Sequence, residues 1–129
     1  MTFNRENMLH PYYTIVFVDT VRSMMDAPPD TFGHSGSWDT IEFPEGYDKP
    51  DKDLFEETFT RKFHEKGIEI LRKQRNTLLT QSDWTVTVAD VNLSESALEA
   101  WKVYRQALRD LPSITEDPEN PVWPTAPTA

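Results

Sequence analysis

The chain has 129 residues, ten prolines and no cysteine, and its formal net charge is −9 at pH 7. The absence of cysteine excludes disulfides, thiolate zinc sites and cysteine nucleophiles, and the acidic balance disfavours binding to the phosphates of nucleic acids. The first seven residues contain no apolar signal core, and the longest apolar run, Ile15 to Val18, is too short for a membrane span, so we expect a cytoplasmic protein.

The N-terminal part of the chain predicts β structure. Residues Tyr12 to Val18 are rich in β-branched and aromatic side chains, which favours a strand. Both faces of that strand would be apolar, so we expect burial on two sides or pairing with another chain. Val21 to Met25 is compatible with a short helical turn, and Trp38 to Phe43 with a second strand after a loop. Residues 1–50 are therefore predicted to be a β-containing region.

A long helix is predicted to begin near Asp51 or Asp53 and to end near Gln81. Asp53 followed by Glu56 has the spacing of a capping box. Gly67 lies on the apolar stripe, and the sequence leaves open whether it permits a close approach or marks a kink. The stripe itself consists of apolar residues at helical spacing: Phe55, Phe59, Phe63, Ile70, Leu71 and Leu78.

A second helix is predicted after an extended connector at 84–88. Ser94 is placed to cap this helix, and Pro112 is expected to stop it. Because the connection is short, we expect the two helices to pack as an antiparallel hairpin. Five prolines from Pro112 to Pro127 then predict an extended tail. The second helix presents one apolar face: Leu98, Trp101, Tyr104, Leu108 and Leu111.

These elements predict the α+β class. A small N-terminal β element in residues 1–50 would precede a helical hairpin with an extended Pro-rich tail in residues 51–129. Basic side chains concentrate in residues 61–79, where pairs such as Glu69 with Lys73 suggest a solvated helix face rather than a nucleic-acid site. Docking of this segment onto an acidic partner is the alternative.

No residue pattern in the chain predicts catalysis. His10, His34 and His64 are far apart in sequence, and no second histidine follows His64 at the spacing of a zinc-binding helix. The acidic residues form adjacent pairs that are typical of solvated surfaces, and the chain contains no phosphate-binding glycine loop and no nucleophile elbow. We therefore expect no catalytic residue, no cofactor and no metal.

The aromatic residues of the C-terminal half are the better candidates for function. Helical spacing favours a core position for Trp101 and Tyr104, whereas Trp84 is equally compatible with core and interface. Trp123 is a large apolar group in a proline-rich tail, which favours docking. Trp, Tyr and Arg are enriched among interface hot spots, and the predicted partner-binding residues are Trp84, Trp101, Tyr104, Arg105 and Trp123.

Five short motifs follow one another in the last third of the chain: Arg75–Leu79, Ser82–Thr85, Leu93–Ser94, Trp101–Pro112 and Val122–Pro127. Their order and spacing resemble the phage tail assembly chaperone family, and more loosely the tail fibre assembly proteins of tailed phages. The resemblance implies a non-enzymatic helper for tail or tail-fibre proteins, without a cofactor, and transfers no catalytic residue.

Two functional hypotheses follow from this resemblance. The first is a chaperone that binds a phage tail or tail-fibre subunit in the host cytoplasm and shields it until assembly. The second is a structural component of the tail, baseplate or fibre that remains in the virion. Both allow a homo- or hetero-oligomer, and neither involves nucleic acid or a membrane.

Overall fold

The computed structural model describes residues 10–88 and 91–128, and this part of the chain is built from helices. The elements are α1 (Tyr13–Ser23), a 3₁₀ turn (Trp38–Thr40), α2 (Lys52–Gln81), α3 (Trp84–Thr87) and α4 (Glu95–Ile114). The chain divides into two compact units, residues 1–66 and 67–129, and the division falls inside α2.

The prediction of an α+β fold is wrong, because the described residues contain no β-sheet. Their one β-like feature is an isolated antiparallel bridge between Gly33 and Glu42. Its two hydrogen bonds, at 2.9 and 2.8 Å, close the loop that follows α1. The predicted second strand, Trp38 to Phe43, is instead a 3₁₀ turn followed by this bridge.

The predicted first strand is the helix α1. A strand would have placed Ile15 and Phe17 on the same face, but Ile15 is 66% exposed and Phe17 is fully buried. The propensity of β-branched residues for strands depends strongly on context, and here the packing of one helical face overrides it. The predicted turn at Val21 also belongs to α1. The buried face has helical spacing: Tyr13, Val16, Phe17, Thr20 and Val21.

The core of the N-terminal unit is largely aromatic. Phe17 of α1 meets Phe55 and Phe59 of α2 edge to face, with ring centroids 5.2 and 5.9 Å apart. Phe63 continues the same stripe and lies 5.6 Å from Tyr13. Edge-to-face pairs add a small favourable term to the burial of each ring, so these five rings help to hold α1 against α2.

A tyrosine fastens the loop after α1 to the helix. The Tyr13 hydroxyl donates a hydrogen bond of 2.7 Å to the carbonyl of Gly36, whose φ of 93° lies in the left-handed region that favours glycine. Burial raises the pKa of Tyr13 to about 12, so the hydroxyl stays neutral and remains a donor.

Helix α2 has the predicted length, but its cap differs from the prediction. The Asp51 carboxylate accepts a hydrogen bond of 2.9 Å from the Leu54 amide, so Asp51 caps the helix and Asp53 lies in the first turn. The proposed capping box of Asp53 and Glu56 is therefore wrong. The helix continues without interruption through Gly67, which is buried.

The connector after α2 is helical rather than extended. Thr85 donates from its hydroxyl to the carbonyl of Ser82 at 2.8 Å, and Thr87 donates to that of Asp83 at 2.8 Å. Threonine hydroxyls that bond back one turn are compatible with helix, and they stabilise the short α3 where alternating valines and threonines had indicated an extended segment.

Helix α4 begins as predicted but ends later. The Ser94 hydroxyl accepts from the Ala97 amide at 3.1 Å, as an N-cap does. Pro112 does not stop the helix, which continues to Ile114. Pro112 has no amide hydrogen, so it cannot donate to the carbonyl one turn earlier. The hydrogen bonds after the proline are intact, because the carbonyl of Leu111 accepts from the amide of Thr115 at 3.0 Å and from its hydroxyl at 2.6 Å. These bonds complete the final turn.

Residues 115–128 form no helix or strand. A turn in which the Asn120 amide donates to the Asp117 carbonyl at 3.0 Å lies in this tail, and Pro118 is buried. None of the described helices is both long and apolar enough to cross a membrane.

Candidate functional site

The candidate site begins at the turn that follows α2. The Arg105 guanidinium, on α4, donates from one nitrogen to the Leu79 carbonyl and to the Ser82 hydroxyl, both at 2.7 Å. Its other terminal nitrogen donates to the Asp83 carboxylate at 2.9 Å. Arg105 therefore ties the C-terminus of α2 and the start of α3 to the middle of α4.

This arrangement suits a guanidinium for electrostatic reasons. The last carbonyls of a helix have no partner within the helix and carry partial negative charge. Arg105 is only 6% exposed, whereas the side chain of Asp83 is half exposed. The buried cation is thus neutralised jointly by a carboxylate at the surface and by the end of α2.

Three rings form what we call the aromatic cluster: Trp84, Trp101 and Tyr104. Trp84 meets Trp101 at 69° with ring centroids 5.5 Å apart, and Trp101 meets Tyr104 at 81° and 5.7 Å. Both are edge-to-face geometries. The exposure of the three rings decreases from Trp84 to Tyr104: Trp84 is 40% exposed, Trp101 is half-buried and Tyr104 is buried.

Two exposed valines follow Trp84 along the chain. Val86 and Val88, which follow Trp84 in and just after α3, are 56% and 50% exposed. Exposed apolar residues are common on protein surfaces. Residues two apart on a helix lie on different faces, so Trp84 and Val86 offer apolar contacts in different directions.

The structure therefore brings together four of the five predicted partner-binding residues. The aromatic cluster and Arg105 are adjacent, while Trp123 lies half-buried in the tail. Arg105 and Tyr104 are buried within the chain, so in this structure they support the surface around Trp84. The contact between Trp84 and Trp101 depends on the tertiary arrangement of α3 and α4, which residue spacing alone does not reveal.

Sequence reasoning did not select Ile114 and Val122, although they are 70% and 85% exposed. The expectation that Pro112 ends the helix assigned Ile114 to the tail. A signal was present, since Leu108, Leu111 and Thr115 continue the helical spacing past the proline.

The basic side chains of α2 are engaged mainly with carboxylates. Lys73 pairs with Glu69 at 3.3 Å as predicted, and Arg61 pairs with Glu65 at 3.2 Å. Lys62 reaches Asp19 of α1 at 2.9 Å. Within residues 10–88 and 91–128, no group of three or more histidine, aspartate and glutamate side chains is placed to hold a metal ion.

Comparison with protein families found a match for the C-terminal part of the chain. Residues 68–128, a little under half of the sequence, match the family described as phage tail assembly chaperone protein. The resemblance inferred from the sequence is thereby confirmed, and the match begins seven residues before the first of the motifs that indicated it. The match supports a role in phage tail assembly.

Comparison with curated proteins found no match, and comparison with solved structures found none either. The matched segment contains the end of α2, the aromatic cluster, Arg105 and the tail, so the candidate site lies inside it.

Proposed function

We propose that the protein is a chaperone that binds an unassembled phage tail or tail-fibre subunit and shields its apolar surface until assembly. The observation that carries this proposal is the match of residues 68–128 to the phage tail assembly chaperone family. A protein that binds the unassembled state stabilises it by mass action, and the binding requires no chemical step. Such a protein would act in the host cytoplasm while tails are built.

In this proposal the partner contacts the exposed edge of the aromatic cluster. Trp84 is the most accessible of the three rings and is followed by two exposed valines, Val86 and Val88. Trp101 packs against Trp84 and Tyr104 packs against Trp101, while Arg105 binds Asp83, the residue before Trp84. Trp123 provides a further aromatic contact from the tail. Rigid aromatic side chains are frequent hot spots because they bury a large area at a small cost in entropy.

The net charge of −9 is compatible with this role. A charge far from zero keeps a protein soluble, and a complex that covers the apolar surface of its partner would share that property.

Co-expression with each tail and tail-fibre subunit of the same phage tests the proposal. We expect one subunit to co-purify with the protein and to become more soluble in its presence. Trp84→Ala should weaken the complex about tenfold or more, as for a hot-spot residue. The matched control is Tyr47→Ala in the N-terminal unit, since Tyr47 is 41% exposed and Trp84 is 40% exposed. If no subunit co-purifies with the wild-type protein, the proposal is wrong.

Purified phage particles distinguish the chaperone from a structural component of the virion. A transient chaperone is expected to be absent from mature particles or present in far less than stoichiometric amount. A fixed copy number per particle, measured by quantitative mass spectrometry, would instead show a structural protein.

A further inference from the structure

A second apolar feature lies at the end of α4. The final turn of this helix and the tail line an open groove of about 390 Å³, which we call the C-terminal groove. Leu111, Ile114 and Val122 supply its apolar walls, and Glu116, Asp117 and Asn120 lie along its polar side. The groove exists because α4 continues past Pro112 and places Ile114 opposite the tail.

The walls of the groove are open to solvent. Leu111 is buried, but Ile114 is 70% and Val122 is 85% exposed. Small-molecule sites usually bury most of the ligand surface. Walls as exposed as these could not bury a small ligand to that extent. The groove is also too small to form a whole protein interface, because seven residues line it and a standard interface takes about 20–30 residues on each side. Its size and openness suit one or two apolar side chains of another polypeptide.

The charge around the groove selects the kind of polypeptide. From Asp110 to the last residue the sequence contains four acidic residues and no lysine, arginine or histidine. Two of the four, Glu116 and Asp117, line the groove. An acidic rim attracts basic partners and repels acidic ones, which gives specificity as well as faster association.

We propose that the C-terminal groove binds a segment of the phage tail subunit in which an apolar side chain is flanked by lysine or arginine. This inference rests on the proposed chaperone function and names the chemistry of the bound segment. The apolar side chain contacts Ile114 and Val122, while the flanking cations face Glu116 and Asp117.

Charge argues against a second copy of this chain as the occupant. Symmetric pairing of two such grooves would bring their acidic rims together, and like charges in an interface cost binding energy. Basic side chains of α2 such as Arg61 and Lys73 already pair with carboxylates of the same helix.

A pair of synthetic peptides tests the inference on the full-length protein. One fluorescein-labelled peptide carries leucines flanked by lysines, and the other has glutamates in place of the lysines. We expect the lysine peptide to bind with an affinity that falls as salt increases, and the glutamate peptide not to bind. No binding of the lysine peptide, or equal binding of both, would overturn the inference.

Matched variants separate groove binding from general attraction to an acidic protein. Ile114→Ser and Glu116→Lys should each weaken binding of the lysine peptide about tenfold. The controls are Val103→Ser and Glu99→Lys, because both residues are exposed on α4 and lie outside the groove lining. The control variants should bind the lysine peptide with an affinity within about twofold of that of the wild type. Equal losses in groove and control variants would show non-specific attraction and overturn the inference.

The same variants distinguish this inference from the proposed function. If the tail subunit co-purifies with the wild-type protein and with the groove variants at equal affinity, the groove inference is wrong and the chaperone function stands. If no tail subunit binds the wild-type protein, the proposed function is wrong and the inference falls with it. A concentration-dependent dimer that Ile114→Ser abolishes would identify a second copy as the occupant and overturn the inference.

Discussion

Arg105 is a buried cation whose described hydrogen bonds join three different groups of the same chain. The guanidinium provides donors in a fixed planar arrangement, and the structure uses them for a backbone carbonyl, a hydroxyl and a carboxylate. A lysine at this position would supply a single ammonium on a flexible stem and could not reproduce that geometry. Arginine is enriched in interfaces for the same donor arrangement that makes it useful here inside the chain.

We expect Arg105→Ala to destabilise the folded state by about 2–4 kcal/mol, because it leaves the Leu79 carbonyl and the Ser82 hydroxyl without a charged donor. Asp83→Asn should cost less than about 1 kcal/mol, since the Asp83 side chain is half exposed. Urea denaturation at 25 °C measures both. Similar losses for the two variants would show that the ion pair, rather than the contact with the end of α2, is the main stabilising interaction.

Glu119, in the tail, has a perturbed carboxyl group. Burial, together with a hydrogen bond and the negative charge of Asp117, raises the pKa of Glu119 from its ordinary value of 4.5 to about 7. Between these pH values the folded state binds a proton that the unfolded state has released. The free energy of unfolding should therefore fall as the pH rises from about 4.5 to about 7.

Glu119→Gln removes this titration. We expect the variant and the wild type to have similar stability near pH 4, and the variant to be more stable at pH 8 by at most about 1 kcal/mol, because solvent screening reduces the effect. Thermal melts at the two pH values provide the measurement. A variant that is less stable than the wild type at pH 8 would contradict the assignment.

At the scale of single elements, α1 shows how packing decides between helix and strand. Phe17→Ala should lower the free energy of unfolding by about 3–5 kcal/mol, because the Phe17 ring is fully buried between α1 and α2. Ile15→Ala should change stability by less than about 0.5 kcal/mol, since the side chain is 66% exposed. Chemical denaturation of the two variants checks this. Equal losses would indicate that the two residues share a buried face, as they would in a strand.

The long helices were predictable because their sequence signals agree with each other. In α2 the spacing of Phe55, Phe59 and Phe63 indicates a helix. In α4 the Ser94 cap indicates where the helix begins. In α1 local propensity and tertiary packing disagree. Tyr12 to Val18 favours a strand locally, but a strand there would leave half of its apolar residues without the phenylalanine face of α2 to cover them.

The candidate site was predictable in its residue types but not in its arrangement. Trp84, Trp101 and Arg105 could be selected because such residues often contact partners. That Arg105 binds the end of α2 depends on a contact 26 residues apart in sequence, and no spacing rule covers it. The sequence does not predict the C-terminal groove for a local reason, because a proline at position 112 indicates that the helix ends before Ile114.

At the scale of the whole molecule, the tail can be separated from the helices by deletion. Removing residues 116–129 should leave the helical signal in circular dichroism nearly unchanged, since no described residue after Ile114 is helical. The melting temperature should fall by several degrees through loss of the contacts of buried Pro118. Affinity for the tail subunit should fall at least about tenfold, because Trp123 and one wall of the groove are lost. Unchanged affinity would show that the tail does not take part in binding.

Arg105 comes later in the chain than the groups to which it donates hydrogen bonds, and this sets the order in which the C-terminal unit can form during synthesis. Its bonds span between 22 and 26 residues. Ribosomes add about 5–20 residues per second, so the end of α2 waits about one to five seconds for Arg105 to be added. The contact between Trp84 and Trp101 likewise forms only after α4 has been made, although α2 can form earlier.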